Sequence, residues 1–84
     1  MKQRKIVDFA IFIDIESRDG QICRSLASHL VASGYTAFCF SLREEQAVLS
    51  LYNVKVSVIN KPHFFMWHRI KAKFFGTRFI ILDT

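Results

Sequence analysis

The densest set of reactive side chains is DIESRD, Asp14 to Asp19, where three carboxylates and one guanidinium fall within six residues. Carboxylates at fixed spacing can ligate hard cations, or take a proton from a hydroxyl within hydrogen-bond reach. A guanidinium beside them can grip a carboxylate or phosphate through two parallel hydrogen bonds. A second concentration is KPHFFMWHRIKAKFFG, in which Lys61, His63, His68, Arg69, Lys71 and Lys73 interleave with five aromatics. Basic residues among rings suit an anionic lipid surface, or single-stranded nucleic acid whose bases stack on the rings. Other chemistries lack their signatures. The loop after the first apolar block holds a single glycine, Gly20, so G-x-G-x-x-G is absent, and no Walker loop is present in the chain. Cys23, Cys39, His29, His63 and His68 do not fall at metal-ligand spacing, and no serine is marked as a nucleophile.

These residues need elements to hold them. Ile6 to Ile15 (IVDFAIFIDI) is β-branched and aromatic, apolar on both faces over its centre, as in a strand of a parallel sheet. Ile22, Leu26 and Leu30 then recur at helical spacing, with Asp19 or Ser17 as the cap and Gly34 at the C-terminus. Thr36 to Phe40 reads as a second strand. Ser41 and Glu44 form an S-x-x-E signal ahead of Ala47, Val48, Leu51 and Tyr52. Val54 to Ile59 alternates as a third strand nearer an edge. A third helix opens at Asn60 and Pro62, carries Phe64, Trp67, Ile70 and Phe74 as its sheet-facing stripe, and stops at Gly76. Arg78 to Leu82 is a fourth strand.

The order βαβαβαβ, with helices near 19–33, 42–52 and 61–75, predicts an α/β fold: a Rossmann-like half-domain with a four-stranded parallel sheet. The expected spatial order is 3-2-1-4, with the two most apolar strands, first and fourth, as the central pair. Ligands of such sheets bind beyond the strands' carboxyl ends, where strand order reverses. On that order the crevice lies between strands one and four, lined by Asp14, Glu16, Ser17, Arg18, Asp19, Asp83 and Thr84, with Ser41 and Asn60 nearby. Two helices would cover one face and the third helix the other, leaving Phe65, Phe75, Lys71 and Lys73 for contact with a membrane or partner, or for a homo-oligomer.

Composition narrows the class. The 84 residues hold one core at most, and 51% hydrophobic residues exclude intrinsic disorder. Acidic residues interrupt every long apolar run, so no membrane span is expected, and no signal peptide is recognisable. Two cysteines inside apolar patterns suit reduced thiols, hence a cytoplasmic chain. Twelve basic against seven acidic residues give a net charge of +5, which favours anionic partners.

Two resemblances follow. Asp14-Ile15-Glu16-Ser17 resembles the first-strand end of the NYN and PIN-like nucleases, with Ser17 in place of their asparagine. It implies a Mg²⁺-dependent ribonuclease whose metal would sit on Asp14, Glu16 and Asp83, with nucleic acid as partner. More of the chain, from Phe9 to Tyr35 and again at F-I-I-L-D-T, is similar to bacterial surface carbohydrate biosynthesis proteins, through Glu16, Arg18, Asp19, the leucine-rich helix and Gly34. This implies the N-terminal, acceptor-side half of a GT-B type glycosyltransferase, associated with the inner face of the cell membrane. Glu16 would be its general base, and Arg18, Asp14, Ser17 and Asp83 would bind substrate. The nucleotide-sugar would sit on a C-terminal half outside these 84 residues, so the chain alone is expected to be inactive and to need no cofactor. A third alternative is a non-catalytic interaction module.

Overall fold

The computed structural model describes residues 4–60 and 65–82. Strand β1 (Lys5–Ile13) is followed by helix α1 (Glu16–Ala32), β2 (Ala37–Ser41), a 3₁₀ turn (Leu42–Glu44), α2 (Glu45–Leu51), β3 (Tyr52–Asn60), α3 (Phe65–Phe74) and β4 (Arg78–Leu82). All pairings are parallel, so the chain has the α/β, Rossmann-like half-domain architecture that its periodicity predicts.

The strand order is 2-1-3-4, not 3-2-1-4. β3, read from its alternation as near an edge, is central; β4, read from its apolarity as central, is an edge. Length and side-chain size explain the exchange. β3 has nine residues, hydrogen-bonded on both sides, and its inward polar position is Ser57, small enough to be fully buried. Its charged position, Lys55, is exposed and reaches Asp8 on β1 at 3.6 Å. β4 has only five residues, and its two central isoleucines remain partly exposed.

Order also sets which helix covers which face. From β1 the chain steps one way to β2, then back across β1 to β3 and onward to β4. Right-handed crossovers then put α1 alone on one face and α2 with α3 on the other. One core cluster joins Ala10, Phe12, Val54 and Ile59 to Val48 and Leu49 of α2, with Phe75 and Phe79 packed against it. The other joins Ile11, Ile13 and Val58 to Cys23 of α1, with Leu26, Ala27, Leu30 and Leu82 alongside. The singly covered face is therefore that of α1, not that of α3. Phe75, expected to be available for outside contact, is half-buried in the core.

Both long helices end as their glycines predict. Gly34 and Gly76 have φ of 94° and 72°, the left-handed region that only glycine enters without strain. Tyr35 N–H reaches Leu30 C=O and Gly34 N–H reaches Val31 C=O, and the same pair of bonds recurs from Thr77 and Gly76 to Ala72 and Lys73. The start of α1 differs from expectation: it begins at Glu16, with Ile15 at the cap position. Asp19 lies one turn inside the helix and reaches back to Ile15 N–H at 3.4 Å.

Helix α3 departs furthest from its sequence pattern. The stripe assigned to the sheet faces solvent: Trp67 is 58% exposed, Ile70 57% and Phe74 83%. The inward side is His68, Lys71, Ala72 and Phe75, all buried or half-buried. The cause sits on α2. Glu45 is 1% exposed, and its Oε1 meets His68 Nδ1 at 2.7 Å and accepts from Lys71 Nζ at 3.1 Å. A buried carboxylate without such partners would cost several kcal/mol, on the order of a domain's whole stability. Turning α3 so that His68 and Lys71 reach it outweighs the burial lost by the apolar stripe.

Candidate functional site

With order 2-1-3-4, the strand order reverses between β1 and β3, so the crevice expected beside β4 lies one strand over. The loop that leaves β1 and the first turn of α1 form its described wall. Asp83 and Thr84, like Lys61–Phe64, lie outside the described residues, as do the side chains of Asn60 and of Phe65, the latter expected to be a contact residue. Because β3 separates β1 from β4, the carboxyl ends of these two strands stand two strand spacings apart, about 10 Å. The expected adjacency of the first and fourth strands, on which the Mg²⁺ triad was drawn, is thus replaced by that of β1 and β3. Among the described residues no cluster of three His, Cys, Asp or Glu side chains is placed to hold a metal ion.

The charged residues of DIESRD sort into two groups. Arg18 grips Asp19 through two parallel hydrogen bonds, Nε to Oδ1 at 2.8 Å and Nη2 to Oδ2 at 3.0 Å. Asp14 lies at 4.0 Å from the same guanidinium. Asp19 is 1% exposed, and its hydrogen bond, followed by its charge and that of Asp14, raises the Arg18 pKa above the ordinary value. Arg18, expected to meet an anionic substrate, is thus already engaged by a buried carboxylate.

The second group opens to solvent. Ile13, Asp14, Glu16, Arg24, Cys39, Phe40 and Ser41 line a cleft of about 500 Å³ at the carboxyl ends of β1 and β2. Its floor is apolar (Ile13, Cys39, Phe40) and its rim carries two carboxylates, one guanidinium and a hydroxyl. Glu16 forms an ion pair with Arg24 across two turns of α1. Gly20 makes room for it: a Cβ there would stand 2.6 Å from Glu16 Oε1 and 2.7 Å from Arg24 Nη2. Ser41 Oγ also accepts from Arg43 N–H at 3.3 Å, which fixes the hydroxyl at the cleft's far side. Ser17 is exposed on the first turn of α1.

The structure brings Asp14, Glu16 and Ser41 together with Arg24 on the β1–β2 side of the rim, one strand away from the β1–β3 reversal. The signal for Arg24 was local: it follows Glu16 by eight residues with Gly20 midway, one stripe of a helix. Burial, the largest cause, raises the pKa of both Cys23 and Cys39 and keeps the thiols protonated.

Searches against protein-family models, curated proteins and solved structures returned no match.

Proposed function

We propose that this chain is the acceptor-side, Rossmann-like half of a GT-B type glycosyltransferase of bacterial surface polysaccharide biosynthesis, working at the inner face of the membrane. The observation that carries the reading is the cleft formed by Asp14, Glu16, Arg24 and Ser41 over Phe40. A glycan presents hydroxyls that donate to carboxylates, ring C–H faces that lie on an aromatic floor, and often a carboxylate that a guanidinium can grip. Glu16, exposed at the rim, is the group to take a proton from an acceptor hydroxyl. Arg24, whose ion-pair partner Glu16 is itself exposed whereas that of Arg18 is buried, is the guanidinium assigned to an anionic sugar. The nucleotide-sugar belongs to a second half, so this chain binds acceptor without transferring sugar. No helix among the described residues is long and apolar enough to cross a membrane.

The test is an amide-shift titration of the isotopically labelled chain with a uronic-acid-containing oligosaccharide. Shifts should cluster at Ile13, Asp14, Glu16, Arg24 and Ser41, and should vanish in Arg24→Ala. Shifts elsewhere, or none, would contradict the reading. Mg²⁺-dependent cleavage of single-stranded RNA that Asp14→Asn abolishes would replace it with the ribonuclease.

A further inference from the structure

Because Glu45 turns the charged side of α3 inward, the helix shows the solvent a surface that a folded chain normally hides. Met66, Trp67, Ile70 and Phe74 are each more than half exposed. At about 100° per residue they span an arc of about 100° on the helix. Arg69 and Lys73, both exposed, flank one side of that arc. Lys71 flanks the other, its ammonium 5.5 Å from the centre of the Trp67 ring, so the indole is braced from beneath. Arg69 and Lys73 also border a groove of about 350 Å³ with Arg78, at the amino end of β4. An adjoining groove adds Lys55. No residue of α3 is acidic, and no carboxylate lines either groove.

We propose that the outward face of α3 is a docking surface for an anionic lipid bilayer. Met66, Trp67, Ile70 and Phe74 enter the headgroup–acyl boundary, while Arg69, Lys73 and Arg78 hold lipid phosphates beside them. The arrangement is that of an interfacial helix: an apolar arc, basic flanks and an indole at the boundary. Charge selects this occupant over a second copy of the chain. Two such faces packed together would set Arg69 and Lys73 against their counterparts with no acid on either helix. The apolar arc selects it over nucleic acid, because Met66 and Ile70, half of its residues, have no π-face for a base to stack on. The inference deepens the membrane side of the proposed function and rests on that reading for its purpose. The oligosaccharide titration and the measurement below nevertheless succeed or fail separately.

The chain has one tryptophan, so its fluorescence reports this face alone. With vesicles of phosphatidylcholine and phosphatidylglycerol, the chain should co-sediment and Trp67 emission should shift to the blue; with phosphatidylcholine alone, binding should be far weaker. Replacing Arg69 and Lys73 by Gln should weaken binding about 30-fold, from the loss of two cations near an anionic surface. Phe74→Ser, at a position too exposed to affect folding, should weaken it further, and inorganic phosphate should not displace the chain. Equal binding to both vesicle types, displacement by phosphate, an unshifted Trp67, or full binding by Phe74→Ser would overturn the proposal. So would a change in Trp67 emission that depends on protein concentration or on an RNA oligonucleotide and not on vesicles.

Discussion

Glu45 shows how one side chain can redirect a helix. Its carboxylate is buried beside His68, whose side chain is 12% exposed, and Lys71, at 21%. Removing one partner of a buried charged cluster leaves the others uncompensated, whereas removing all of them together does not. Glu45→Ala should therefore lower the stability by about 3 kcal/mol, read as a shifted urea midpoint at unchanged m. The triple variant Glu45→Leu, His68→Phe, Lys71→Met should recover most of that loss. Equal losses in the single and triple variants would show that the cluster does not orient α3. The cysteines give a second expectation at this scale. Their folded pKa values lie above the unfolded ones, so the stability they contribute is fully present below about pH 8.5 and is lost as pH rises through the raised values. Cys23, fully buried, should resist alkylation by iodoacetamide at pH 8 until denaturant is added.

The elements themselves were mostly legible in the sequence, their arrangement less so. Gly34 and Gly76 mark the ends of α1 and α3 because left-handed geometry there needs no partner beyond the local chain. Their replacement by Ala should cost about 1 kcal/mol each, nearly additively, since the sites are independent. Gly20 makes the contrast within α1: a Cβ there meets only the ends of Glu16 and Arg24. Gly20→Ala should thus raise the melting temperature through helix propensity while lowering oligosaccharide affinity, by pushing the ion pair aside. What local pattern could not show was strand order and the facing of α3. Apolarity ranked β4 above β3, yet hydrogen-bonding partners on both sides depend on length, and nine residues outcompete five. The partner that turns α3 is 23 residues from His68 and 26 from Lys71, beyond any helical period. For the same reason the cleft's near wall, Asp14 and Glu16, was legible, and its placement away from β4 was not.

At the scale of the molecule, the two surfaces lie on opposite sides of the sheet, α3 on one and α1 with Glu16 and Arg24 on the other. A crossover helix runs back along the strands it joins, so a bilayer beneath α3 lies along the sheet, and the carboxyl rim opens sideways across the membrane surface. That picture, the docking surface and the explanation of the core all depend on one claim: α3 carries His68 and Lys71 inward and its apolar stripe outward. Collisional quenching of Trp67 by acrylamide in the folded, lipid-free chain tests it most directly. The account predicts red emission and a quenching constant close to that of the chain unfolded in guanidinium, because the indole is already 58% exposed. Blue emission, shielded from acrylamide and released only on unfolding, would place the stripe against the sheet and contradict the account.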